Sequence, residues 1–259
     1  MTETASVAKW YNENAALEHD RLIACRLEFS ISWRIITQYL DGNKPLEILD
    51  LGGGTGRYAT KLAKLGHSVT LVDISEAELD IARSIAKEES ISLTDIIQAD
   101  ARDIRSNPVI FQEQKYDLIL CQGPFYHLLE ESERLDVLSA CAAAVKPGGF
   151  ILAAFVLRYA HLRDIAQRDP ARLAREYDSF YAGYLAEGKY TRNTLSYSYH
   201  THPSEVNAFF AKVPELQLER QVACEGFLGG GLSSKLGDLP GDAYENSCET
   251  ENPKPQCSR

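Results

Sequence analysis

The chain has 259 residues, 44% of them hydrophobic and 25% charged, with 37 acidic against 27 basic side chains and a formal charge of −10. This is the composition of a globular protein, and its acidity argues against free nucleic acid as a partner, which needs a basic footprint. No stretch approaches about 18 consecutive apolar residues, so no membrane span is expected, and residues 1–8 contain no apolar signal core.

Residues 8–40 read as helix, with Leu17, Leu22, Ile23, Leu27, Ile31, Ile35 and Leu40 at near-helical spacing. DGNKP at 41–45 is a loop, after which strands and helices alternate. Strands are expected at 46–51, 68–72, 95–98, 116–121 and 150–156. Helices are expected at 57–65, closed by Gly66, from Ser75 to about 87, and at 132–145. Ser75 and Glu78 form an S-x-x-E capping box, and KPGG at 146–149 makes a turn. The strands are short, apolar and β-branched, as in a sheet covered on both faces. Alternation of this kind implies an α/β fold: a doubly wound, mostly parallel, Rossmann-like sheet with ligands at the strand C-termini.

Beyond 157 the pattern changes. Residues 157–187 read as helix broken at Pro170, 191–200 as a strand, 204–212 as a helix and 216–224 as a strand. The segment from 229, rich in Gly, Pro, Asn and Ser, reads as an irregular tail. The expected organisation is an N-terminal helical lid (1–40), a core (41–156), a substrate-lid insertion (157–203), completion of the sheet (204–228) and the tail (229–259). The cysteines, Cys25, Cys121, Cys141, Cys224, Cys248 and Cys257, form no C-x-x-C pair. Reduced thiols in a cytoplasmic protein are the expectation.

Four glycines crowd the junction after the first strand, in EILDLGGGTGRYATKLAKLGHSVTLVDIS (47–75). A turn of this kind brings backbone N–H groups close to a ligand at a helix N-terminus. A nucleotide phosphate would want Lys-Ser or Lys-Thr after the glycines, and neither follows. A dinucleotide wants G-x-G-x-x-G/A, which Gly54, Gly56 and Ala59 satisfy literally. S-adenosylmethionine is the third option. Asp50 stands two positions before Gly52, in Asp50-x-Gly52-x-Gly54-x-Gly56, where an acid attracts an ammonium and would repel a diphosphate. Asp73 ends the second strand, placed to take both ribose hydroxyls. Asp100 ends the third, placed to accept from an adenine amine.

With these motifs in view (LDLGGGTG, VDIS, ADA, YDLIL and KPGG), the chain resembles the class I S-adenosylmethionine-dependent methyltransferases, in particular the small-molecule group, over about residues 45–156. The resemblance implies that Asp50, Gly52, Gly54 and Gly56 line the methionine moiety. It implies that Asp73 and Ile74 hold the ribose and adenine, and Asp100 and Ala101 the adenine edge. Cys121 and Gln122 would close the site near the methionine. Many relatives that methylate DNA or protein nitrogens carry Asn/Asp-Pro-Pro-aromatic after the fourth strand. This chain has Gly123-Pro124-Phe125-Tyr126-His127 instead, which argues against a DNA-base amine.

His127 lies where a methyl acceptor would sit. It reads either as general base or as a helix-terminal histidine packed on Tyr126 that shapes the pocket. Methyl transfer is an in-line displacement that gains most from alignment, so the base is optional. Trp10 and Tyr11, the face of Tyr177, Phe180, Tyr181 and Tyr184, and the face of Leu195, Tyr197 and Tyr199 read either as core or as a lid caging the acceptor; Tyr11, Tyr181 and Tyr199 are the substrate candidates. His200 and His202 form an H-x-H pair without an apparent third ligand, so no metal is expected.

The expectation is therefore a methyltransferase acting on O, N or S of a small molecule, its oligomeric state open. Two alternatives stand beside it. One is a nicotinamide-dependent oxidoreductase, against which Asp50 and Asp100 count and whose Tyr-x-x-x-Lys pair is only imitated by Tyr159 and Arg163. The other is a cofactor-binding protein that transfers no methyl.

Overall fold

The computed structural model describes residues 3–40, 42, 44–191 and 197–224. The N-terminal region forms two helices, α1 (Glu3–Ala24) and α2 (Arg26–Thr37), where one was expected. The chain leaves helical geometry at Cys25, with φ −78° and ψ 67°. The apolar spacing explains the break. Leu17 and Ile23 of the expected stripe are exposed, whereas Leu27, Ile31 and Ile36 are buried. A straight helix could not serve both halves.

The core follows as β1 (Glu47–Leu51), α3 (Ala59–Lys64), β2 (Ser68–Asp73), α4 (Glu76–Glu88), β3 (Asp95–Gln98), β4 (Tyr116–Cys121), α5 (Glu131–Ala144) and β5 (Val145–Ala153). All five strands are parallel, in the order β3-β2-β1-β4-β5. Successive side chains of each strand serve opposite faces. Leu49, Leu51, Ile119 and Cys121 enter one core with α5. Ile48, Leu118 and Leu120 enter the other, with Leu62 of α3 and Leu79 and Ala82 of α4. The strand order reverses between β1 and β4, which opens a crevice at their C-terminal ends. The expected KPGG turn lies inside β5. The register steps from Tyr116↔Val145 to Leu118↔Phe150, so residues 146–149 bulge outward opposite Asp117, and Lys146 closes the bulge on Asp117 at 2.8 Å.

Next come α6 (Arg158–Arg168), α7 (Pro170–Arg175), a π-type turn (Tyr177–Tyr181) and α8 (Ala182–Glu187). The break at Pro170 occurs as expected, with Asp169 capping α7 through the Arg172 N–H. Ile165, Tyr181 and Tyr184 bury one another with Phe180 and Tyr190 in a core of their own. A strand was expected over 191–200. The structure pairs β6 (Lys189–Tyr190) with β7 (Ser198–Tyr199) in antiparallel fashion, and residues 192–196, Leu195 among them, lie outside the described residues. Helix α9 (Glu205–Phe210) packs Val206, Phe209 and Phe210 on the α5 side of the sheet.

The strand expected at 216–224 does not form. Leu216 and Leu218 pack on the core, but Arg220 is held through its side chain by Tyr39 and Gln38, and Gln221 by Asn207. Side-chain bonds thus fasten the segment without a backbone ladder, and among the described residues 204–224 add no strand to the sheet. Residues 225–259, with the expected tail, lie outside the described residues.

Candidate functional site

A cavity of about 1850 Å³ opens at the C-terminal ends of the central strands and continues along β5. Its floor is the glycine turn. Gly52 has φ +71° and donates its N–H to the Val72 carbonyl at 2.7 Å. A Cβ there would stand 2.6 Å from the Pro124 ring, in the loop after β4. Gly54 has φ +55°, and a Cβ there would stand 3.0 Å from a Glu78 oxygen. At both positions the left-handed backbone alone disfavours other residues, and the close neighbours belong to the chain itself.

Asp73 ties the turn to β2. Its Oδ2 accepts from the Gly54 N–H and its Oδ1 from the Ser75 N–H, both at 2.8 Å. Burial raises its pKa against those hydrogen bonds. Asp50, 1% exposed, is pushed up to about 7 by burial and by Asp73, while a bond from the Ala59 N–H opposes the shift. Its Oδ2 has no hydrogen-bond partner. Neither have Glu78 Oε1 and Gln122 Oε1, and all three residues line the cavity.

Helix α1 lies over the strand ends. Asn12 Oδ1 accepts from Ser75 Oγ and from the Ala77 N–H, at 3.0 and 3.1 Å. His19 bonds Thr55 of the glycine turn at 3.0 Å. Tyr11 reaches into the cavity, 2.9 Å from His127 Nε2. On the other side of the ring, His127 Nδ1 is 3.3 Å from the Tyr197 carbonyl. A carbonyl only accepts, so Nδ1 carries the proton and Nε2 accepts from the Tyr11 hydroxyl. Burial lowers the His127 pKa to about 4, which keeps the ring neutral. Burial, with Tyr126, Glu18 and Glu78, pushes the Tyr11 phenol well up.

The cavity thus gathers Asp50, Gly52, Gly54, Asp73, Ile74, Asp100, Ala101, Gln122, Tyr11, Tyr126 and His127. It does not gather four of the expected residues. Gly56 faces Ala82, Leu71 and Thr60 behind the turn. Cys121 is fully buried in the sheet, where burial raises its thiol. Tyr181 lies in the core of the insertion. Tyr199 bonds Glu205 at 3.0 Å under the Arg134 guanidinium. Asp100 lines the cavity, but its carboxylate caps the turn that follows through the Arg102 N–H and is ion-paired with the Arg102 side chain at 2.7 Å. The H-x-H pair is spent on packing: His200 bonds Tyr184 and Ser198, and His202 bonds Tyr159 and Ser204.

Among the cavity residues that escaped the sequence are Glu78, and Glu18 with Arg21 of α1. Arg21 grips both Glu18 oxygens through Nε and Nη2. The Glu18/Arg21 spacing of i, i+3 was a readable signal for a pair, though not for its location. Glu78 was assigned to the capping box. The structure forms only half of it: Ser75 Oγ accepts from the Glu78 N–H at 3.3 Å, while the reciprocal acceptor for the Ser75 N–H is Asp73.

Comparison with known proteins agrees with this geometry. A family model described as a methyltransferase domain matches residues 48–149, the span from β1 to the β5 bulge. Residues 48–149 thus resemble a methyltransferase domain. A ubiquinone biosynthesis O-methyltransferase from Actinobacillus pleuropneumoniae serotype 7 (strain AP76) is 28% identical over 145 residues, 56% of this chain and 58% of the relative. One of the same name from Vibrio vulnificus (strain YJ016) is 35% identical over 111 residues, 43% and 44% of the two chains. The chain therefore spans about half the length of the curated relatives it matches. Among solved structures, a methyltransferase from Methanosarcina mazei superposes with TM-score 0.54 at 20% identity, over 69% of this chain and 82% of its own. Magnesium protoporphyrin IX methyltransferase from Synechocystis PCC 6803, with bound S-adenosylhomocysteine, superposes with TM-score 0.54 at 16% identity, over 82% and 89%. Both share this fold over more of the chain than the family model covers. No described helix is long and apolar enough to cross a membrane.

Proposed function

We propose that the protein is an S-adenosylmethionine-dependent methyltransferase that methylates a hydroxyl group of a small molecule. The observation that carries the cofactor reading is the set of orphaned acceptors at the glycine turn: Asp50 Oδ2, Glu78 Oε1 and Gln122 Oε1. Buried acceptors are costly until a donor reaches them. A ligand with an ammonium, a sulfonium and ribose hydroxyls supplies donors and positive charge. A dinucleotide diphosphate supplies neither, and Arg21 and Arg57, the arginines of α1 and of the turn, are already paired with Glu18 and Glu28. The oxidoreductase imitation fails in the same way, because the Tyr159 hydroxyl is 2.8 Å from His202.

Bound S-adenosylmethionine supplies a methyl group made electrophilic by the sulfonium. Asp50 and the Gly52–Gly54 turn would hold its amino-acid end, Asp73 and Ile74 the ribose, and Ala101 the adenine edge, with Asp100 beside it committed to Arg102. His127 takes the acceptor proton at Nε2, the Tyr197 carbonyl fixing its tautomer. Tyr11 stands between them and either gives way to the acceptor or passes its proton on. α1 and the insertion from α6 to β6 would exclude water as a lid. The hydroxyl preference is supported by the neutral base and by the relatives' names as O-methyltransferases. The reduced thiols of Cys121 and Cys141 favour a cytoplasmic setting.

Labelled cofactor incubated with the protein and a set of phenols and catechols tests the proposal. Transfer of label to a hydroxyl supports it. Cofactor binding with no transfer to any acceptor class would leave the non-methylating alternative standing.

A further inference from the structure

Glu78 has no task in the fold that needs its charge. Asp73 has taken its half of the capping box. Its side chain is 3% exposed, Oε1 has no partner, and Oε2 lies against Gly54 in the middle of the turn. The charged and titratable groups facing it are Asp73 from β2 and Tyr11, Glu18 and Arg21 from α1. Arg21 is the single cation among them and is spent on Glu18. The buried carboxylates therefore outnumber the positive charge beside the turn.

Resting on the cofactor reading above, we propose that Glu78 is a specificity-determining residue that distinguishes the sulfonium cofactor from its neutral thioether product. Both ligands carry the same adenosine and the same ammonium and carboxylate. They differ by one methyl and one positive charge. A buried carboxyl group without a counter-ion gains a charge partner from the sulfonium and loses that partner once the methyl has left. The product is then held less tightly than the substrate, which favours turnover over product inhibition.

Burial raises the Glu78 carboxyl to about 8, with Asp73 and Glu18 adding to the shift and Arg21 opposing it. In the free protein near neutral pH the carboxyl is thus largely protonated. The sulfonium adds a positive charge beyond the ammonium that both ligands carry, so binding of S-adenosylmethionine draws off more of the proton than binding of S-adenosylhomocysteine.

Calorimetric titration of the full chain with S-adenosylmethionine and with S-adenosylhomocysteine tests this. Each is run at about pH 7 in two buffers of different ionisation enthalpy, which count the protons released. The wild type is expected to prefer S-adenosylmethionine and to release more protons with it. Glu78→Gln, which keeps the shape, is expected to lose the extra proton release and to shift the affinity ratio by about tenfold toward the thioether, a modest effect for one charge in a partly desolvated site. An unchanged ratio in Glu78→Gln overturns the proposal, as does extra proton release that persists there, which would assign it to Asp50. Equal proton release with both ligands in the wild type overturns it without any variant. If the wild type binds neither ligand, the cofactor reading itself falls, a result distinct from binding both without preference.

Discussion

Removing His127 separates catalysis from packing. Its ring is hydrogen-bonded on both sides, to Tyr11 and to the Tyr197 carbonyl, and burial lowers its pKa to about 4. A base poised near 6.5 would lose activity as the pH fell through 6.5. This one is expected to hold its rate down to about pH 5, since only on the order of a tenth of the rings are protonated one unit above the pKa. Folding stability follows the same group. A lowered pKa contributes stability that is present above the unfolded value near 6.5 and is lost as the pH falls toward 4, at 1.36 kcal/mol per unit. The ring is part-buried, so about 2–3 kcal/mol is the most that pH-dependent stability can draw from it. His127→Ala should flatten that acid limb, leave S-adenosylhomocysteine affinity nearly unchanged, and cut turnover by about 10²–10⁴ if His127 is the base. Tyr11→Phe is the control. It deletes a hydrogen bond worth about 0.5–1.5 kcal/mol and leaves the imidazole in place. Turnover within about tenfold of wild type assigns the proton to His127 directly, whereas a loss equal to that of His127→Ala makes Tyr11 the relay. Stopped-time assays from about pH 4.5 to 9, with thermal melts at the same pH values, decide it. An acid limb centred near 6.5, or wild-type turnover in His127→Ala, would refute the reasoning.

Calorimetry should show binding of S-adenosylmethionine and S-adenosylhomocysteine and far weaker binding of NADH; the reverse order would end the cofactor reading. Asp73→Ala should weaken cofactor binding by about 1.5–3 kcal/mol and also lower the melting temperature, because the Gly54 and Ser75 N–H groups lose their acceptor; a melt unchanged from wild type would contradict that tie. Gly54→Ala should cost about 1–2 kcal/mol from its positive φ, with further crowding against Glu78, as read by chemical denaturation; no loss would mean that the turn relaxes. The raised Asp50 and Glu78 groups favour the folded state while protonated, so their contribution is full below about pH 4 and is lost as the pH rises to about 7 and 8, opposing the His127 trend over that range, and Asp50→Asn should flatten part of that decline. Amides of α1 and of residues 158–190 should exchange more slowly once cofactor and acceptor bind, as a lid requires; equal exchange would return those segments to plain scaffold.

The sheet was legible because its signals are local. Each strand is a short apolar run bounded by turn residues, and the acids at 50, 73 and 100 fall at strand ends by position alone. Cys25 was harder. The near-helical spacing ran through it, and only the different burial of Leu17 and Leu27 shows that the stripe changes face. The segment 216–224 alternates like a strand but is fastened by Arg220 and Gln221 side chains, a long-range outcome that no period records. Tyr181 and Tyr11 illustrate the same limit. Both are aromatic residues on helical stretches, yet one fills the core of the insertion and the other meets His127. The difference lies in tertiary placement, not in their neighbours along the chain.

The two halves of the site follow different physical rules. On the proposed cofactor side, the backbone of the glycine turn forms the floor of the cavity. Gly52 is confined by Pro124 and its positive φ, Gly54 by its own positive φ and Glu78, and the turn is tied to Asp73, so few sequences can build it. The glycines of the turn are therefore demanded by close approach within the chain, whatever ligand it takes. On the acceptor side, Tyr11, His127 and the Tyr197 carbonyl come from three distant segments and meet only through side-chain reach. Nothing in a strand–turn–helix motif constrains them. A change at Tyr11 can alter the acceptor without disturbing the turn, while a change at Gly54 disturbs both. That asymmetry is why the motif leads to a methyl donor and leaves the methyl acceptor to be found by experiment.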